Sequence, residues 1–197
     1  LSPTLVYCFW HSGETAETSD LQMTFTPASY KEGEQGKLEE EPGMTVACWQ
    51  QRPESRGYVR CRSSDPFEPP SIQTNYLAEE VDRRVLVAGM RLARSLLASA
   101  PLAPYYAYED FPGPQAQTND ELLAAAAQRA QTTFHPGCTC RMGPASNPLA
   151  VVDDQLRVHG LKALRVIDAS IMPRMISANL NASTMMIADK AFDAEAQ

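Results

Sequence analysis

The chain has 197 residues, 44% of them hydrophobic, and a net charge of −7 at neutral pH. That length holds one good domain or pieces of two. The acidic balance, with no Lys/Arg run to offset it, argues against a nucleic-acid surface, and no apolar run of about 18 residues is present to make a transmembrane helix.

The opening residues, Leu1-Ser2-Pro3, carry neither an initiator Met nor a signal-peptide pattern, the expectation for a processed or truncated piece. Five cysteines at irregular spacing do not make a disulfide framework and point to a reducing, cytoplasmic setting. Leu5 to Trp10 is an apolar and aromatic run suited to a buried strand. His11 lies in a polar loop and reads as an ordinary exposed histidine. Asp20 to Pro27 alternates apolar and polar residues, the mark of a half-buried strand. Lys31 to Gly43, with Glu39-Glu40-Glu41, reads as a solvated loop. Met44 to Gln51 and Tyr58 to Arg62 read as strands joined by a turn, and Ile72 to Leu77 as a short extended segment.

The longest predicted helix runs from about Glu79 to Ala98. Val81, Val85, Ala88, Leu92 and Leu96 share one face, and Arg83, Arg84, Arg91 and Arg94 the other. A second helix, from about Asn119 to Ala130, is announced by the capping-box spacing of Thr118 and Glu121. Between them a proline-rich loop carries Tyr105, Tyr106, Tyr108 and Phe111, which either line a pocket or pack over the helix ends.

Phe134 to Gly143 (Phe-His-Pro-Gly-Cys-Thr-Cys-Arg-Met-Gly) organises the rest. Beyond it, Ala150 to Asp153 and Leu156 to Gly160 are short strands or turns, with His159 ending a strand at the surface. Leu164 to Ile167 reads as a buried strand running into Asp168-Ala169-Ser170, where polar groups converge. The chain is helical again from about Asn181 to Ala194, with Met185, Ile187, Ala188, Ala191 and Phe192 on its apolar face.

His135 sits on a rigid turn, and imidazole is the side chain best matched to proton transfer near neutral pH. The same residue reads equally as a core histidine satisfied by a hydrogen bond. His135, Cys138 and Cys140 also read as metal ligands, but the spacing is wrong for a zinc knuckle and nothing nearby completes four. Asp168 either accepts from a ligand or caps the following turn. Asn181 either serves chemistry at a helix N-terminus or simply caps it. Asn181-Ala182-Ser183 also matches the glycosylation sequon, in a chain without secretory features.

The run from His135 to Gly143, Val151 to Gly160, Leu164 to Pro173 and Asn179-Leu180-Asn181-Ala182 closely resembles the C-terminal end of the glucose–methanol–choline oxidoreductases. Cys138-Thr139-Cys140 and the Asn-Leu-Asn-Ala run are most similar to the choline dehydrogenase branch. The resemblance implies an α/β fold: an α+β substrate domain with an antiparallel sheet and helices, plus the last strand and helix of a Rossmann-type FAD-binding domain. Residues 1–148 would be the later part of the substrate domain, and 149–197 would complete the FAD domain. No Gly-x-Gly-x-x-Gly occurs, so the resemblance implies an N-terminal FAD-binding chain or segment as partner.

The family resemblance carries its catalytic pair over to His135 and Asn181. His135 would remove the proton from a small-molecule alcohol, hydride would pass to the flavin N5, and Asn181 would hold the alkoxide. Asp168 and Ala169, and with them Ser183, would contact FAD. The substrate would be a primary alcohol, choline-like or other. A flavin photoenzyme acting on a carboxylic acid, and a metal-binding or structural module, are the competing readings.

Overall fold

The computed structural model describes residues 4–14, 18–34 and 36–195. They form two compact units, Leu1–Ser55 with Leu77–Gln131, and Arg56–Tyr76 with Thr132–Gln197.

The first unit is built on an antiparallel meander of β1 (Val6–Trp10), β2 (Leu21–Thr26) and β3 (Thr45–Gln50), with β2 in the centre. Met23 pairs with Cys8 on one side and Cys48 on the other. The alternating β2 is not half-buried as expected. Leu21, Gln22 and Met23 are all buried, and the Gln22 amide oxygen accepts from the Gln51 side chain. A central strand loses solvent on both faces once neighbours cover it, so polar positions survive only where hydrogen-bonded. The apolar run of β1, by contrast, is mostly exposed at Val6, Tyr7, Phe9 and Trp10. Among the described residues it is an edge strand, paired with β2 alone.

Helix α1 (Glu80–Leu97) lies on this sheet. Val85 joins Leu21 and Met23 in one core, with Val81 and Leu92 packed against it. Gly89 lets the helix approach: a Cβ there would stand 2.7 Å from Leu21 Cδ1 and 3.2 Å from Cys48 Sγ. A second stripe of α1 turns to α2 (Asn119–Arg129), where Val87 packs with Ala116 and Leu122. The helix therefore buries two stripes, and Leu96, predicted on the apolar face, is exposed. The capping box forms as predicted: Glu121 N–H donates to Thr118 Oγ1 at 3.2 Å and Thr118 N–H to Glu121 Oε2 at 2.8 Å. In the proline-rich loop Tyr105 and Tyr108 are exposed, while the Arg129 guanidinium stacks 4.2 Å over Phe111.

Asp82, in the first turn of α1, is buried and accepts from Gln50 Nε2 (3.0 Å), Glu54 N–H (2.9 Å) and Ser55 N–H (2.8 Å). Burial pushes its carboxyl up, and these donors with the Ser55 hydroxyl hold it below its ordinary value on balance.

The second unit holds the hairpin of β4 (Tyr58–Arg60) and β5 (Ser71–Gln73) and the last helix, α3 (Asn181–Glu195). Its core is Val152, Leu156, Ile171 and Ala191, with Met142, Val166 and Ile187 against it. Leu164 to Ile167 does not form the expected buried strand. Arg165 makes one isolated bridge to Arg157, and Leu164 and Ile167 are 48% and 40% exposed. A strand needs a neighbour along its length to satisfy its N–H and C=O groups, and these residues have only that one bridge. His159 is half-buried rather than at the surface, and its Nε2 donates to the Gly143 carbonyl at 3.0 Å. The expected boundary between residues 148 and 149 falls inside this unit.

Candidate active site

The His135 stretch turns sharply. Phe134 (φ 57°) and Cys138 (φ 68°) both adopt the left-handed backbone that costs a side-chain-bearing residue free energy. The stretch is held by a run of backbone hydrogen bonds to the 3-10 turn Ala169–Ile171. Cys138 N–H donates to Ala169 O (3.3 Å), Cys140 N–H to Ser170 O (2.9 Å) and Met142 N–H to Ile171 O (2.8 Å). Gly137 sits at the closest point, where a Cβ would lie a tight 3.2 Å from both the Ala169 carbonyl oxygen and Met175 Sδ. Two segments distant in sequence are thereby fixed against each other.

The half-buried His135 ring meets one amide. Asn179 Nδ2 stands 3.0 Å from His135 Nε2. An amide N–H donating to that nitrogen requires a lone pair on it, which is the neutral Nδ1–H tautomer. Nε2 is then the atom able to take a proton.

Asn181, the expected partner, lies elsewhere. It is the first residue of α3, and its Nδ2 faces Met185 Sδ at 3.9 Å, one turn along the same helix. It is not the N-cap either. The Leu180 carbonyl accepts the first helical bond, from Thr184 N–H at 2.9 Å. Leu180 itself carries no side-chain acceptor for the first turn of α3. The signal that separates the two asparagines is position. Asn179 precedes the N-cap on non-helical backbone and reaches across to a neighbouring turn, while a residue inside the first turn lies along the helix surface.

Asp168 is exposed and caps the 3-10 turn, Oδ1 accepting from Ser170 N–H at 2.7 Å. Its remaining lone pairs can still accept from a ligand. Ala169 is half-buried, and its carbonyl is already engaged by Cys138. Ser183 is half-buried in the first turn of α3. The structure thus joins His135 to Asn179 and Cys138 to Ala169, while the Asn181 side chain meets Met185.

Cys138 is half-buried; burial pushes its thiol up, and the nearby Arg141 and Arg56 charges partly offset this. Among the described residues no three His, Cys, Asp or Glu side chains are grouped to hold a metal ion, and no helix is long and apolar enough to cross a membrane. One polar atom in this region is buried without a hydrogen-bond partner among the described residues, the Ser177 hydroxyl oxygen. The exposed Asp168 carboxylate, with lone pairs left to accept from hydroxyl groups, fits a polyhydroxyl cofactor such as a flavin dinucleotide.

A family model described as GMC oxidoreductase matches residues 53–188. The chain belongs to the GMC oxidoreductase family. It is 39% identical over 187 residues to an oxygen-dependent choline dehydrogenase of Staphylococcus aureus (strain JH9), covering 94% of this chain and 32% of that protein. Among solved structures, pyridoxine 4-oxidase from Mesorbium loti superposes with a TM-score of 0.83 at 25% identity, over 94% of this chain and 36% of that one. A formate oxidase superposes with a TM-score of 0.74 at 27% identity, over 89% and 31%. The chain therefore spans about a third of the length of these GMC relatives. The family is FAD-dependent, and the mixed fold of the described residues, with antiparallel sheets and three α-helices, agrees with that of its members.

Proposed function

We propose that this chain is the C-terminal part of an FAD-dependent alcohol dehydrogenase or oxidase in which His135 is the general base and Asn179 its partner. The observation that carries the reading is the 3.0 Å approach of Asn179 Nδ2 to His135 Nε2. His135 Nε2 takes the proton of the substrate hydroxyl. The Asn179 amide cannot itself accept a proton; the substrate hydroxyl takes its place on the Nε2 lone pair, and the amide donates to the alkoxide oxygen as charge develops there. Asn181, which the family resemblance put in this role, contributes instead to the first turn of α3. Asp168, Ala169 and Ser183 are assigned to hold FAD. When bound, FAD supplies the hydride acceptor at N5.

The substrate is a small primary alcohol; the choline dehydrogenase likeness supports a choline-like one. Residues 1–148 are assigned to the substrate domain and 149–197 to the completion of the FAD domain. The partner is an N-terminal FAD-binding segment, supported by the greater length of the relatives and by the exposure of Leu164, Ile167, Met185, Met186 and Phe192. The five cysteines support a reducing, cytoplasmic setting.

The test is anaerobic stopped-flow reduction of the flavin by an alcohol across pH. His135→Ala is expected to slow reduction by roughly 10²–10⁴-fold, the usual worth of a positioned base, with FAD still bound. The wild-type rate rises with pH as a base loses its proton, and the variant lacks that rise. Near-wild-type reduction with the pH profile intact would reduce His135 to a structural histidine.

A further inference from the structure

Gly137 lies two residues from His135 and faces the segment that carries Asn179. A Cβ built on it would stand 3.2 Å from the Ala169 carbonyl oxygen, 3.2 Å from Met175 Sδ and 3.7 Å from Leu180 Cδ1. All three atoms belong to residues 169–180, the stretch that places Asn179 Nδ2 3.0 Å from His135 Nε2. Gly137 is not among the glycines with positive φ, so space rather than backbone freedom is what its missing side chain supplies. The Leu180 distance is ordinary contact, and the other two are tight. The Ala169 oxygen is not free to draw back, because Cys138 N–H donates to it at 3.3 Å and the bonds from Cys140 to Ser170 and from Met142 to Ile171 hold the same backbone. The half-buried Met175 thioether is the more flexible neighbour. A methyl group at 137 is accommodated only if the His135 turn, the Asn179 segment or both give way by a few tenths of an ångström.

We propose that Gly137 is a positioning residue for the proton-handling pair: its missing side chain lets residues 169–180 close on the His135 turn far enough for the Asn179 amide to stand beside Nε2. The proposal rests on the reading above, in which His135 and Asn179 act together. Gly137 has no side chain to do chemistry and acts through the separation it sets. Close-packed protein transmits a local displacement to its neighbours, and about 1 Å of misplacement at reacting groups costs about 10²-fold in rate. A shift of tenths of an ångström costs less and is still measurable.

The test uses the FAD-bound enzyme containing this chain. Gly137→Ala is expected to lower the limiting rate of anaerobic flavin reduction by about 3- to 30-fold. The apparent affinity for the alcohol stays within about twofold of wild type, because the contact disturbed is one made to developing charge. The deciding measurement is a double-mutant cycle with Asn179→Ala. With the amide gone, the added methyl group has nothing left to misplace, so the double variant reduces within about twofold of the Asn179→Ala rate. Adding Met175→Ala to Gly137→Ala removes the sulfur at 3.2 Å and is expected to restore part of the rate. Equal slowing by Gly137→Ala in the wild-type and Asn179→Ala backgrounds overturns the proposal, as does a Gly137→Ala enzyme that reduces at the wild-type rate or gains nothing from Met175→Ala. A Gly137→Ala enzyme that fails to fold overturns it as well, because the glycine then serves the fold and not the pair. Asn179→Ala reducing at the wild-type rate would instead sink the underlying reading.

Discussion

Asn179 Nδ2 sits 3.0 Å from His135 Nε2, across 44 residues of sequence, while Asn181, two residues on, turns its amide to Met185. The residue before α3, Leu180, lies between them, and its carbonyl accepts from Thr184 N–H. The start of α3 thus decides which of two identical side chains serves the imidazole.

The pair is separable by mutation. Asn179→Ala is expected to slow flavin reduction by about 10–10³-fold, the scale of a removed charge-stabilising donor, without abolishing the rise of rate with pH. An amide does not titrate, so the ionisation stays with the base. Asn181→Ala is expected to leave the reduction rate within about threefold of wild type, since only an exposed side chain on the helix surface changes. The reverse ranking, read by the same anaerobic mixing experiment, would return the partner role to Asn181.

Asp82 ties the first turn of α1 to Gln50, Glu54 and Ser55. Asp82→Ala leaves those donors facing a void and is expected to cost about 2–4 kcal/mol in urea unfolding. Its folded pKa is lowered, so the unfolded state binds the proton more readily. Its stabilisation is complete above the unfolded value of about 3.9 and drains away as pH falls through the folded value. Acid melts of the wild type should therefore steepen below about pH 4, and those of Asp82→Asn should be flatter there.

The cysteines differ in burial. Cys61 is exposed, while burial pushes the Cys48 thiol up to about 12. The thiolate is the nucleophile, so iodoacetamide near neutral pH should label Cys61 in the native protein and Cys48 only after denaturation. Replacing both Cys138 and Cys140 by Ser is expected to lower stability modestly and leave the metal content at zero. Stoichiometric zinc in the wild type, lost in the double variant, would support the metal-binding reading instead.

Residues 149–195 expose Leu164, Ile167, Met185, Met186 and Phe192, the last to 73%. Such a surface wants a partner. The 197-residue chain alone is expected to fold poorly and to bind FAD weakly, with both restored when the N-terminal segment is supplied. A yellow, monomeric chain that unfolds cooperatively on its own would contradict this.

Local patterns in the sequence determined much of this protein. The Thr118–Glu121 box forms, because its two partners are three residues apart and need nothing else to meet. The 3.6-residue period marks α1, and the His-Pro-Gly-Cys turn marks the site, since backbone preferences act over a few residues. What contacts what was left to the tertiary structure. The same apolar signal describes the exposed β1 and the buried Val85, because burial depends on what lies opposite, not on the residue itself. Leu164–Ile167 has the composition of a strand without the neighbour that would make it one. Asn179 rather than Asn181 reaches His135 because the helix start fixes the two side chains' directions, and that start depends on Leu180 being buried and its carbonyl engaged by Thr184.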